Sequence, residues 1–531
     1  MASADEPGLD RSPPRLLMIG IDAAEPRLIE RWTSDGSLPH MAQLMDGGAY
    51  GRLASPADWL VGSPWPTFFT GVTPADHGLY HYLQWDPVRM AAVPPVPEDL
   101  PVQPFWRPLA AQGPRAVVFD VPFSQAPQPF NGIELCGWGT HDHLGPPCSF
   151  PEGLAADVVE RFGRSPLSKE VPRAARIPRL LKVRDELIRT TKWVADVAVD
   201  LEEREAWELF LVCFSATHRG GHKFWSETGT LSRAGSAGRE EFADALRQVY
   251  VAVDQAIGRL VEAAGSDTQV VIFSTHGMGL NTCHTPLLGK MVRRVLGESA
   301  GSPSSRSFDL LSALRRAVPL AARSEIGARL PESLQLRLAS FWETGGLKWA
   351  TTRAFCPVAD LQGYIRLNVR GREALGIVEA GSESEALAEE IEAGLKTFVD
   401  ARSGEEVVQA IARPAQLYPK GVRRGSLPDL IVRWTETPVA ERSEIWSPAF
   451  GSVHWPTPGR NPNGRSGNHR PEGFVLAAGG SSRAGAWLEG HVMDLAPAVY
   501  SHFGLQPPPG LPGRPLVSAS RGGGGQTAPD I

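Results

Sequence analysis

A chain of 531 residues exceeds what one hydrophobic core usually organises, so one large domain with insertions, or two domains, is expected. Hydrophobic residues at 42% and charged residues at 21% fit a soluble globular protein, and a net charge of -6 lacks the basic footprint of a nucleic-acid binder. The five cysteines are scattered, odd in number and never in a C-x-x-C pair, which excludes a disulfide framework or zinc ribbon and fits a reducing compartment. The N-terminal stretch is polar and acidic, unlike a signal peptide, and no apolar run approaches a membrane span. A cytoplasmic protein with no membrane or nucleic-acid partner is therefore expected.

In chain order, Arg15 to Ile21 is an apolar run that stops at Asp22 and predicts a first strand. Pro26 to Trp32 and His40 to Met45 predict short helices, the second closing at Gly47-Gly48, and a short strand follows near Ala49 to Leu53. In Val61 to Gly71, an early Pro and a terminal Gly predict a brief helix starting near Ser63, where the helix N-terminus favours negative charge. From about 79 to 114 the chain is rich in Pro, Trp and His and reads as cover for a site, while Ala116 to Phe119 is another strand.

Arg176 to Glu205 repeats apolar residues at three- and four-residue steps and predicts a long helix leading into Leu209 to Phe214. That run is short and wholly apolar, as suits a strand covered on both faces. A loop bearing His218 and His222 is expected directly after it. Glu240 to Ala264 predicts a helix feeding the strand Gln269 to Ser274, which stops at Thr275-His276-Gly277. Residues near 300 to 350 read as an insertion. Gly363 to Asn368, Val407 to Ile411 and Asp429 to Trp434 are further strand candidates, with a helix over Glu385 to Phe398. Asn468-His469-Arg470 immediately precedes the strand Gly473 to Ala478, and Val492 to Phe503 is a closing helix.

This alternation predicts an α/β fold with a mostly parallel sheet between helices. The expected layout is a flexible segment over 1–14, one domain over 15–516 with insertions near 79–114 and 300–350, and a flexible tail over 517–531. In such sheets ligands bind outside the carboxyl ends of the strands, so donors recurring at Asp22, His218, His222, His276 and His469 point to one metal-binding site.

These strand-end pieces resemble the alkaline phosphatase superfamily, and within it the type I phosphodiesterase and nucleotide pyrophosphatase-like proteins. The matching stretches include IGIDA (Ile19 to Ala23), FFTGVTPADHG (Phe68 to Gly78), THRGGHKFW (Thr217 to Trp225), FSTHGMG (Phe273 to Gly279), PDLIVRW (Pro428 to Trp434) and GNHRPEGFVLAAG (Gly467 to Gly479), in order along nearly the whole chain. The resemblance implies two divalent ions about 4 Å apart that clamp a phosphoryl group for in-line attack by a Ser or Thr. Carried over by position, His218, His222 and His469 hold one ion, while Asp22 and His276 hold the other.

Ser63 is the implied nucleophile, with Thr67 and Thr70 as alternatives; the family Thr falls at Val61. Two departures bear on the metals: His218 replaces an Asp in D-x-x-x-H, and Thr275 replaces the Asp of Asp-His-Gly. The first keeps a ligand, whereas the second leaves one firm site and weakens the other. Zinc is the implied ion, with manganese as the alternative. His284 is a candidate replacement donor, and Arg219, Lys223 and Asn468 are candidates for phosphate oxygens. His77 fits a structural turn.

The expected activity is metal-dependent hydrolysis of a small phosphate ester, with a diester or pyrophosphate favoured. The alternatives are a non-hydrolytic binding protein on the same fold, a phosphomonoesterase, or a phosphoryl- or sulfuryl-transfer relative. The sulfatase pattern C/S-x-P-x-R is missing at Ser63-Pro64-Trp65, and phosphomutase motifs are not evident. Substrate identity and oligomeric state are not encoded in these patterns.

Overall fold

Leu209–Phe214 is buried at all six positions, as a strand covered by helices on both faces must be. It belongs to a ten-stranded sheet in a computed structural model. Residues 14–519 are described apart from 96–99, 125–127, 141–146, 167–176, 226–238, 299–337, 339–346, 438–442, 456–463, 481 and 515. The expected N-terminal segment, the end of the tail and most of the insertion near 300–350 lie outside the described residues.

The strands of this sheet, in chain order, are β1 (Arg15–Ile21), β2 (Ala49–Ala54), β3 (Ala116–Phe119), β4 (Gly132–Cys136), β5 (Cys148–Phe150), β6 (Leu209–Phe214), β7 (Thr268–Ser274), β8 (Gly473–Ala478), β9 (Trp487–His491) and β10 (Val517–Ala519). Their spatial order is β10-β9-β2-β8-β7-β1-β6-β3-β4-β5. β1, β6, β7 and β3 run parallel, so their carboxyl ends share one edge. β8 runs antiparallel to β7. Its beginning therefore lies at that same edge, which explains why His469 precedes its strand while the other donors follow theirs. β10 pairs with β9 beyond the boundary expected at 516.

Successive residues of a strand face opposite ways, and β1 shows the result. Leu17, Ile19 and Ile21 enter a core shared with the helices Ile177–Arg204 and Arg239–Ala264. Leu16 and Met18 enter another with Trp65, Phe68 and Tyr500 on the other face. The helix before β6 is a single 28-residue element, and the expected closing helix is a 3-10 turn, Val492–Asp494, followed by Leu495–His502.

The later strand candidates form a separate antiparallel sheet. Its order is Ala354–Phe355, Gly363–Leu367, Leu430–Trp434, Val408–Ala412, and it shares a core with the helices Thr285–Val295 and Ser382–Leu395. A buried ion pair ties it to the segment near 79–114: Arg366 meets Glu373 at 2.8 Å, and the Trp85 indole donates to the same carboxylate. Removing one partner of such a pair strands a charge away from water. Glu373→Ala is expected to cost about 3 kcal/mol in urea unfolding; an unchanged midpoint would show that the Arg366 bonds to the carbonyls of Gly425, Ser426 and Leu427 suffice.

Candidate metal centre

The residues after β6 form a helix, Ala216–Phe224, rather than the expected loop. Gly220 and Gly221 hide it in the sequence, since glycine disfavours helix interiors. The helix matters because a four-residue step places His218 and His222 on one face. Gly467 lets the strand Gly467–Arg470 approach this helix: a Cβ there would stand 2.2 Å from the Gly221 carbonyl oxygen. The same strand pairs with Gly277–Leu280, and it brings His469 over the helix.

Three imidazoles then converge. Potential ligand atoms of His218, His222 and His469 all lie within 4.8 Å of one another, and all three residues are buried. The ring centroids are 4.7 to 4.9 Å apart. His222 Nδ1 contacts the Gly467 carbonyl at 3.0 Å, and a carbonyl only accepts, so that nitrogen carries the proton. His218 Nδ1 lies 2.6 Å from Asp22 Oδ2 and donates to it. The two Nε2 atoms face each other at 3.0 Å. With both Nδ1 protons directed outward, opposed lone pairs at that distance require a positive charge between them, a shared proton or a metal ion.

His469 adds a further donor, and its Nδ1 has no hydrogen-bond partner among the described residues. Three imidazoles with an open fourth direction are a common zinc arrangement, so the residues present fit a divalent ion. Burial pushes His222 and His469 well below the ordinary imidazole range, with Arg465 and the neighbouring histidines adding to the effect. Neutral imidazole is the form that ligates.

Asp22 takes a supporting place. Its Oδ1 accepts from the Trp65 indole at 2.7 Å and its Oδ2 from His218. Gly20 makes the first bond sterically feasible, because a Cβ there would stand 2.7 Å from the Trp65 ring. Burial alone would raise the Asp22 carboxyl, but His218, His276 and Trp65 hold it at about 2. An ionised carboxylate behind a ligand imidazole fixes its tautomer and increases its basicity. Through that bond Asp22 orients His218.

His276 adjoins the cluster, 4.7 Å from the His469 ring and 6.3 Å from that of His218. Thr275 Oγ1 contacts its Nδ1 at 3.0 Å, and its Nε2 has no hydrogen-bond partner among the described residues. Burial depresses it to about 4.

A cavity of about 20 Å³ opens on these rings, lined by Val61, Gly62, Pro64, Trp65, His81, Tyr82, Phe123, His218, His276, Asp360, Arg465 and His469. Arg465, Asp360 and His81 carry no strand-end signature in the sequence. Arg465 meets Asp360 at 3.1 Å, and His81 meets the other oxygen of Asp360 at 3.3 Å. Burial would raise Asp360, yet Arg465 and His81 hold it well below the usual carboxylate range. The only local signal was the position of Arg465, four residues before His469.

Other expected residues stand elsewhere. Ser63 is fully buried, and its hydroxyl donates to the Leu79 carbonyl at 2.7 Å instead of lining the cavity. The turn into the Pro64–Thr70 helix points the Ser63 hydroxyl into the fold, toward the Leu79 carbonyl. Thr67 bonds His77, and Thr70 donates to the Pro66 carbonyl. Val61, at the family Thr position, does line the cavity.

His284 contacts the Thr282 carbonyl and packs near Trp434 and Trp455, away from the cluster. Arg219 donates to the Thr140 carbonyl and lines a different small cavity beside Asp120. Asn468 braces the strand, accepting from the His469 amide and contacting the Asp360 carbonyl at 3.5 Å.

Burial also fixes the acid response. His77 and His276 fall to about 3 and about 4, against 6.5 for the free side chain. Below 6.5 the unfolded chain takes up protons that these native imidazoles refuse, so stability falls as pH drops through that window. Through these imidazoles, metal-free protein should lose thermal stability between about pH 6.5 and pH 4, and Glu202, raised to about 8, adds a separate loss on the alkaline side. A midpoint that rises on acidification through the imidazole window would contradict this.

No curated protein matches the chain. Among solved structures, murine ectonucleotide pyrophosphatase / phosphodiesterase 5 (an inactive variant with AMP) is 9% identical, with coverage of 93% of this chain and 96% of that one, at a TM-score of 0.47. Phosphonoacetate hydrolase from Sinorhizobium meliloti 1021, with phosphonoformate, is 12% identical at the same coverage and TM-score. The family profile described as Type I phosphodiesterase / nucleotide pyrophosphatase matches residues 16–438, a span that takes in every cluster residue except His469 and also leaves out Arg465. The chain belongs to the type I phosphodiesterase / nucleotide pyrophosphatase family of phosphoester hydrolases.

Proposed function

We propose that this protein hydrolyses a small phosphodiester or pyrophosphate at a single divalent-ion site built from His218, His222 and His469. The observation that carries the reading is the pair of imidazole nitrogens facing each other beneath a third ring, at the carboxyl edge of the sheet. A bound ion, zinc or manganese, would supply Lewis acidity toward a phosphoryl oxygen and toward water. Asp22 orients His218, and the Gly467 carbonyl orients His222. Arg465 is the one guanidinium or ammonium among the cavity-lining residues and faces the substrate's negative charge, aligned by Asp360.

Water is the nucleophile in this reading, because the hydroxyls of Ser63, Thr67 and Thr70 are committed elsewhere and Val61 occupies the cavity-lining position. His276 Nε2 stands on the cavity wall as the acceptor for the water proton. The second ion of the family pattern is the weaker one in this reading: it would rest on Asp22 and His276, because Thr275 offers a hydroxyl bound to His276 in place of a carboxylate.

The reading is tested by turnover of bis-p-nitrophenyl phosphate by metal-stripped protein resupplied with zinc or manganese. Activity should return with about one equivalent of ion. Tight ion binding without turnover on any diester, monoester or pyrophosphate tried would assign the site a binding role instead.

Ser63→Ala separates water attack from serine attack. Losing one buried neutral hydrogen bond costs about 1 kcal/mol of stability, and turnover should stay within about threefold of the unmodified protein. A loss of a thousandfold or more would restore Ser63 as nucleophile.

A further inference from the structure

Cys136 ends β4, and Cys148 begins β5, the outermost strand on that side of the sheet. The two are direct partners in antiparallel register. Opposed residues of such a pair project to the same face with Cα atoms about 4.5 to 5.5 Å apart, inside the range of about 4.4 to 6.8 Å that a disulfide spans. Each thiol feels the other, which separates their acidities. Cys136 is buried and Cys148 half-buried, so one sulfur is reachable from solvent and the other stands behind it.

We propose that Cys136 and Cys148 are a reversible dithiol pair that closes to an intramolecular disulfide by exchange with a low-molecular-weight disulfide such as oxidised glutathione. The Cys148 thiolate attacks one sulfur of the small disulfide, and the first small thiolate leaves. Cys136 then gives its proton to solvent and attacks Cys148 Sγ, expelling the second small thiolate. Two protein thiols are oxidised by two electrons, one small disulfide is reduced to two thiols, and the two protons released from protein sulfur end on those products.

The order of attack follows from the surroundings. The neighbouring Cys136 lowers the Cys148 thiol, whereas Cys136, with Cys148 opposite, buried and beside Glu134, is pushed well above its usual value. A lower value and greater exposure make Cys148 the entering nucleophile. Closure would tie β5, which pairs only with β4 in this sheet, to the strand that leads into the Trp138–Thr140 turn. That turn contacts the ligand-bearing helix: Trp138 and Gly139 amides donate to Asp120, and the Thr140 carbonyl accepts from Arg219.

The test exposes the full-length reduced protein to oxidised glutathione and follows thiol count, intact mass and peptide mapping. The expected result is loss of two of the five thiols, a mass lower by two hydrogens, no retained glutathione, and a Cys136–Cys148 cross-link reversed by dithiothreitol. Cys136→Ser should instead trap glutathione on Cys148, and Cys148→Ser should leave Cys136 unmodified. Five unreacted thiols, a cross-link that leaves out Cys136 or Cys148, or stable glutathionylation of Cys148 in the unmodified protein would each overturn the proposal.

Discussion

His222→Ala is expected to lower zinc affinity by at least about a thousandfold, equivalent to about 4 kcal/mol, and to abolish measurable phosphodiester turnover. The substitution removes one of three inward nitrogens while sparing the helix, because alanine is the strongest helix former and the Ser466 amide still bonds the residue-222 carbonyl. Competition against a chromophoric chelator measures the affinity, and far-UV circular dichroism checks the fold. The pair of Nε2 atoms makes the effect severe: without His222, His218 and His469 remain from the three-imidazole group. An affinity within tenfold of the unmodified protein would remove His222 from the ligand set.

Arg465→Ala carries the second large effect. The side chain faces the same small cavity as the imidazoles, and its carboxylate partner Asp360 lines that cavity too. Deleting the guanidinium removes the attraction for a phosphoryl oxygen and leaves Asp360 repelling it. With saturating metal, kcat/KM is expected to fall by about a hundredfold to a thousandfold, or about 3 to 4 kcal/mol. Arg465→Lys should recover part of the loss, because one ammonium keeps the charge but lacks the planar fork that can hold carboxylate and phosphate together. Metal affinity, measured separately, should change far less than turnover. Equal kcat/KM in Arg465→Ala would confine Arg465 to bracing Asp360.

Much of this arrangement was legible in the sequence because buried parallel strands leave an unmistakable pattern: short apolar runs that stop at polar residues. Asp22, His218, His222, His276 and His469 all gather at one sheet edge as that pattern implies. What the pattern does not contain is where side-chain atoms point. Asp22 follows β1 like a ligand, and the space over Gly20 admits Trp65, so that the indole and His218 each bond one carboxylate oxygen.

Ser63 stands at a helix start with the right chemistry, yet its hydroxyl turns to the Leu79 carbonyl. The helix bearing His218 and His222 was obscured because local propensity counts two glycines against it, while tertiary packing against the Gly467 strand favours the close approach they permit. Arg465 and Asp360 were invisible for another reason: their meeting depends on two segments about a hundred residues apart, with no strand-end signature at either.

The central claim is a single-ion histidine site, and the most direct measurement is the metal stoichiometry of the isolated protein by elemental analysis after dialysis against metal-free buffer containing a weak chelator. About one zinc per chain is expected in the unmodified protein, close to none in His222→Ala, and a second, weaker equivalent only when Thr275→Asp restores a carboxylate beside His276. Two tightly held ions in the unmodified protein, or one ion that survives in His222→Ala, would contradict it.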